Sequence, residues 1–211
     1  LKQLNEVDSF FGQYETKIMK LRNLLEITKI INSTLEEEKL SQTILFSCQG
    51  QFLVQNATLI LLDDVDLGTY VDKLSIGLEK EVFGITLKRD SELITLFTNN
   101  DQENDNRLEK KAYLLKDLLE IMSSEKEQKQ INQLNTAMIC PLWGKSSLYG
   151  FLIFGKRLDG KNFNSEDMSY AYQFAELAAV SIENAKLFEM AIIDRMTRLY
   201  THQYFKNRLY E

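Results

Sequence analysis

The sequence predicts a mixed α/β domain flanked by long helices, and four stretches carry that prediction. Residues 148–154 are apolar or Gly at every position, which fits a strand covered on both faces. Residues 57–63 and 70–78 also read as strands, the second with Leu74, Ile76 and Leu78 alternating onto one face. Residues 165–193 hold no Gly or Pro, and Met168, Ala171, Ala175, Ala178, Ile182, Ala185, Phe188 and Ile192 recur at helical spacing. A helix of about 29 residues is about 43 Å long, whereas a small domain is about 30 Å across. One end must therefore project toward whatever follows.

Residues 1–33 read as a first helix with two apolar stripes. Leu24, Ile27 and Ile31 form one, and Ile18, Leu21 and Leu25 the other. One stripe can pack into the domain while the other meets a second copy of itself in a parallel helical dimer. Asn32, Ser33 and Thr34 break that helix. A second spans residues 37–52, with Leu40, Ile44, Cys48 and Phe52 spaced by four, so Cys48 reads as a small buried hydrophobe. Residues 82–87 suggest a third strand, and residues 91–98 a helix with Ser91 as its candidate cap. Residues 99–106 are polar and acidic and read as a solvated loop. A further helix is expected within 108–127, through Leu114, Leu115, Leu118, Leu119 and Met122. Strand 136–143, turn 144–147 and strand 148–154 follow. Pro141, the only proline, cannot donate to a ladder, so an edge position or a bulge is expected there. Arg157, Leu158, Asp159 and Gly160 make a turn. Asn164 and Ser165 then cap the long helix, with Glu166 and Asp167 at the positive end of its dipole.

At 211 residues the chain holds one full domain with appendages. Its net charge of −6 argues against nucleic acid as a partner and against a polybasic membrane surface. No apolar run is long enough to span a bilayer, and no signal peptide is visible. The chain begins with Leu rather than Met, so a fragment of a longer parent is expected, with membrane segments upstream left open. Two cysteines, Cys48 and Cys140, make no disulfide framework, and a reduced cytoplasmic setting is expected.

Several pieces, in order, resemble the GAF family over residues 23–188. They are the residues from Leu24 on (LLEITKIINSTL), Ile139-Cys140-Pro141-Leu142, Leu152-Ile153-Phe154-Gly155-Lys156, Phe163 to Asp167, and Ile182-Glu183-Asn184-Ala185-Lys186-Leu187-Phe188. The resemblance implies an antiparallel sheet with helices packed on one face, a small-molecule pocket on the other, and a sensory role. Residues 194–211 resemble the start of a GGDEF (diguanylate cyclase) domain. Asp194, Thr197, Leu199, Tyr200 and Phe205 match, Met196 stands for Leu, and Thr201 and His202 replace an Asn-Arg pair. Thr201 is expected to cap a short helix that carries Tyr204, Phe205 and Leu209 inward.

The implied organisation is a signalling and dimerisation helix (1–22), a GAF sensory domain (23–188), a connecting helix end (189–193) and a truncated GGDEF start (194–211). The GGDEF family's catalytic parts, a metal-binding carboxylate and the Gly-Gly-Asp/Glu-Glu-Phe loop, fall beyond residue 211. The chain itself is therefore expected to have no catalytic residues, and its parent to be a bacterial diguanylate cyclase making cyclic di-GMP from GTP. Homodimerisation through the N- and C-terminal helices and an unidentified small-molecule ligand are the implied partners. Nucleic acid and, within this chain, membrane contact are not expected.

GAF domains that bind cyclic nucleotides carry an N-K…F-x-x-x-D-E signature. Here Lys156, Phe163 and Asp167 match, but Gly155 replaces Asn and Met168 replaces Glu. Lys156 and Asp167 are expected to form an ion pair tying the last strand to the long helix, worth ~0–1 kcal/mol if exposed. Tyr70, Trp143 and Tyr149 are the pocket candidates, each equally suited to a core with its polar edge satisfied. The lone His202 lies outside the GAF region, which leaves no haem or zinc ligand set, so no metal or cofactor is expected. GAF domains that attach bilin to Cys commonly have a neighbouring His, which neither Cys48 nor Cys140 has; sulfoxide reduction needs an activated thiolate and a resolving thiol, and neither cysteine has a basic neighbour in sequence. Two alternatives accompany the sensory reading: a ligand-free dimerisation spacer, or a cyclic-nucleotide-binding GAF domain of another signalling enzyme.

Overall fold

The computed structural model describes residues 2–63, 68–78, 84–98, 108–145, 147–193, 197 and 199–209. Among these residues a six-stranded sheet runs in the order β3-β2-β1-β6-β5-β4. Its strands are β1 (Ala57–Leu62), β2 (Thr69–Ile76), β3 (Thr86–Lys88), β4 (Tyr113–Leu114), β5 (Thr136–Trp143) and β6 (Leu148–Gly155), every pair antiparallel. The central pair, β1 and β6, is covered on both sides. Leu59, Leu61, Leu152 and Phe154 point to one core, and Ile60, Phe151 and Ile153 to the other. A period of two explains why both sets are apolar in strands that lie mid-sheet.

One face carries α1 (Lys2–Asn32), α2 (Glu37–Phe52) and α6 (Ser165–Ile192). The two stripes of α1 separate cleanly. Leu24, Ile27 and Ile31 are 7%, 5% and 0% exposed, whereas Ile18, Leu21 and Leu25 are 53%, 58% and 64% exposed. Along α6 the apolar ridge from Ala171 to Ala185 is buried and rich in alanine, which lets the helix lie close to the sheet. Lys20 touches the start of α6, through Glu166 at 3.7 Å and the Tyr170 hydroxyl at 3.4 Å. Asn32 meets Ser181 at 2.8 Å further along. The two helices therefore run side by side in the same direction.

The other face carries three short helices, α3 (Glu92–Thr98), α4 (Leu115–Ile121) and α5 (Glu125–Gln133). Leu93, Ile94, Phe97, Leu118 and Ile131 pack from them onto the sheet. The single helix expected within 108–127 is instead β4 and α4, with α5 beginning before its end. Ser91 does not cap α3, because its buried hydroxyl has no partner among the described residues. The Glu127 carboxylate accepts the Glu92 and Leu93 amides at 2.9 and 3.0 Å instead. Glu92 returns the arrangement, accepting the Ser123 and Ser124 amides at 2.7 and 2.6 Å. A carboxylate satisfies the orphan donors of a helix start better than a hydroxyl can, because it is charged and has two oxygens.

Pro141 lies past the reach of β4, which pairs only Met138 and Ile139, so β5 is locally an edge there. The final helix α7 (His202–Leu209) leaves Phe205 and Leu209 exposed, contrary to the inward orientation expected. The described part of the chain offers no layer against which that helix could bury them. The loop expected at 99–106, part of the strand expected at 82–87, and Asp194 and Met196 lie outside the described residues.

Candidate functional site

The sheet's alternation divides the three pocket candidates. Tyr70 and Trp143 belong to the core under α3, α4 and α5, while Tyr149 packs against the core under α1, α2 and α6. The cause is a bulge. Leu142 pairs with Gly150 and Trp143 with Leu148, so Tyr149 is the extra, unpaired residue of β6 and turns toward the long helix.

Tyr70 is buried. Its hydroxyl donates to the Leu148 carbonyl at 3.1 Å and its ring lies 6.4 Å from that of Phe151. Burial pushes that hydroxyl up from its ordinary pKa, which keeps it a neutral donor. Trp143 sits at the rim of the same core with the Lys110 ammonium 4.4 Å over its ring, and its indole nitrogen is buried without a partner among the described residues. Tyr149 fills the space beside Gly144, where a Cβ would meet its ring. Burial, then the nearby Glu183 carboxylate, push its hydroxyl up. Lys186 lies 6.0 Å from the same ring and donates to the Leu62 carbonyl at 3.3 Å. The tip of β1 and the start of β6 thus both grip α6 near its last buried turn. Sequence reasoning did not single out Lys186.

The clasp at the other end of α6 also differs from expectation. Asp167 takes Arg157, not Lys156, at 3.1 Å. Arg157 forks onto Asp159 as well, at 3.0 and 2.9 Å. Arg157 sits at a bridge to Val54, and its planar fork serves both carboxylates at once. Hydrogen bonding to Arg157 holds the Asp159 carboxyl below the usual carboxylate range. Asp167 also completes a capping box with Asn164, the amide of each donating to the other's side chain.

Gly155 explains one departure from the cyclic-nucleotide signature. A Cβ there would meet the buried Asn56 side chain, whose amide nitrogen donates to the Leu134 carbonyl at 2.8 Å. An Asn cannot occupy position 155 without displacing that contact. Both cysteines are buried, and burial pushes both thiols far up, the reverse of an activated thiolate. Among the described residues no group of His, Cys, Asp and Glu is placed to hold a metal ion, and no helix is long and apolar enough to cross a membrane.

The arrangement is that of a known fold. The GAF domain of a phosphoenolpyruvate-protein phosphotransferase from Coxiella burnetii superposes with a TM-score of 0.57 at 18% identity, covering 80% of this chain and 95% of that one. The corresponding Acinetobacter domain gives 0.55 at 17%, with the same coverage. A methyl-accepting chemotaxis protein, residues 122 to 287, gives 0.58 at 15% over 78% of this chain and 99% of that one. This chain therefore has the GAF fold. Among curated proteins it is similar to diguanylate cyclase A of Treponema denticola, 28% identical over 200 residues. That match takes in 93% of this chain and 52% of the relative, so the chain spans about half the relative's length. No family model matches the chain.

Proposed function

We propose that this chain is the sensory and coupling module of a bacterial diguanylate cyclase, joined through α6 to a GGDEF output domain that makes cyclic di-GMP from GTP. The observation that carries this reading is the match to diguanylate cyclase A along 93% of the chain. Thr197, Leu199, Tyr200 and Phe205, placed after α6 as at the opening of a GGDEF domain, support it from the sequence. A ligand or partner that binds two states of the domain unequally shifts α6, and α6 resets the spacing of two output domains. The exposed apolar stripe of α1 and exposed Val180, Leu187 and Met190 of α6 supply the surface for a parallel homodimer.

Two measurements test this. The parent protein, incubated with GTP, should yield cyclic di-GMP, and a parent that folds and binds GTP without making it ends the cyclase reading. Light scattering of the chain should give twice its 24.6 kDa mass, and Leu21→Glu with Leu25→Glu should return it to a monomer. A monomeric chain at high concentration removes the dimer geometry on which the mechanism depends.

One observation favours a second reading, the ligand-free dimerisation spacer. The sheet face opposite the long helices is filled by Phe97, Leu118, Phe151 and their apolar neighbours. Native mass spectrometry separates the readings, since a sensor that carries its ligand shows added mass and a spacer shows none.

A further inference from the structure

We propose that a cleft at the rim of the two cores binds a small molecule bearing phosphate groups, with Lys116, Lys156 and Lys161 as its cationic wall. The cleft lies between α4, the start of β5 and the connection from β6 to α6, and encloses about 480 Å³. That volume is in the range of small-molecule sites. The inference rests on the cleft's own residues and is independent of the output domain.

The charge pattern is the first argument. The chain as a whole carries a net charge of −6, yet among the described residues no Asp or Glu lines this cleft. Its cations come from three segments that the fold brings together: Lys116 on α4, Lys156 and Arg157 after β6, and Lys161 before α6. Of the carboxylates near it in sequence, Asp159 and Asp167 are both committed to Arg157, while Asp117 and Glu120 of α4 are not among the residues that line the cleft. Lys156, released from the pairing its sequence motif suggests, faces the cleft with Lys116 and Lys161. Ammonium groups gathered without carboxylates between them repel one another, and an anion relieves that repulsion.

Rigidity is the second. The Asp159 carboxylate accepts the Lys161 amide at 3.0 Å while Arg157 holds its other side. Gly160 takes a left-handed φ of +71°, which closes the turn without steric cost. The Leu158 amide donates to the Leu53 carbonyl at 2.7 Å, and the Gln55 amide to the Lys156 carbonyl at 2.8 Å. The loop that presents Lys156 and Lys161 is thus fixed before any ligand arrives, which lowers the ordering cost of binding. Leu119, Ala137 and Phe163 give the cleft an apolar wall beside the lysines. An apolar ring joined to phosphate matches that division, and a compact cleft suits a small molecule rather than a polymer.

Isothermal titration of the purified chain with inorganic pyrophosphate, ATP and adenosine tests the proposal. Pyrophosphate and ATP should bind with affinity that falls as salt rises, and adenosine should give no heat. Lys156→Glu with Lys161→Glu should weaken both by about tenfold or more, while Lys129→Glu on α5 leaves them unchanged. The milder Lys156→Gln with Lys161→Gln should give the same direction, and circular dichroism melting confirms which variants are folded. Absence of pyrophosphate and ATP binding at millimolar concentration overturns the proposal. So does binding that survives both cleft variants, or that is lost equally in Lys129→Glu. Stronger binding of ATP than of pyrophosphate assigns the apolar wall to a ring; equal binding with no loss in the variants marks nonspecific charge and also overturns it.

Discussion

The two faces of the sheet are held by different forces. Under α1, α2 and α6 the core is continuous and apolar, built from long elements that bury whole ridges, with Phe52, Phe154 and Phe174 packed edge to face. Under α3, α4 and α5 the elements are short, and two carboxylates, Glu92 and Glu127, tie the helix starts together. Burial of apolar area is spread over many residues and tolerates local change. A polar clasp concentrates its contribution in a few bonds and is lost at once when one partner goes. The face with clasps is the one that can change shape locally without unfolding the domain.

The largest expected effect belongs to the first face. Phe154→Ala removes a fully buried ring that contacts Phe52 and Phe163 and should cost about 3–5 kcal/mol, read by urea unfolding. Next, Glu127→Ala leaves the Glu92 and Leu93 amides without acceptors and should cost about 1–3 kcal/mol. Hydrogen exchange should then quicken in α3 while α1 and α6 keep their protection. Equal loosening of all three would erase the distinction between the faces.

Asp167→Ala removes half of a capping box and one partner of Arg157. It should cost about 0.5–2 kcal/mol, with exchange rising first in the opening turn of α6. The smallest effect is that of pH. Because Arg157 holds Asp159 below its ordinary value, the ionised carboxylate favours the folded state. That support is present above the unfolded value of about 3.9 and fades as pH falls through the lower folded value. Melting temperature should decline in acid, and Asp159→Asn should flatten that decline. A variant that follows the parent curve assigns the acid response to other groups.

The same contrast governs what the sequence reveals. The bounds of α2 follow from local periodicity, those of β5 match the apolar run read at 136–143, and α6 is legible to within a residue. By contrast α5, EKEQKQINQ, buries only Ile131, so it offers no apolar period to read. β4 is two residues long and exists only because β5 lies beside it. Ser91 has the right chemistry for a cap, but Glu127, distant in sequence, occupies the site. Lys156 and Arg157 are adjacent and both cationic, and only the fold decides which of them meets Asp167. Tyr149 and Trp143 are both aromatic at one turn, and a single bulged residue sends them to opposite faces.

The parallel course of α1 and α6 has a mechanical meaning. About 18 residues of α1 precede Lys20, which meets the start of α6, and α6 runs seven residues past Ala185, its last buried position among the described residues, to Ile192. The two ends leave the domain from opposite poles, like two shafts joined by a coupling. A helix advances about 100° per residue, so the direction in which the outgoing shaft faces is fixed by how many residues it contains. Inserting seven residues after Ala185 would return it to within about 20° of its starting phase, whereas inserting two would turn it by about 200°. For anything driven from that end, the length of the exposed turns is a stricter constraint than their composition.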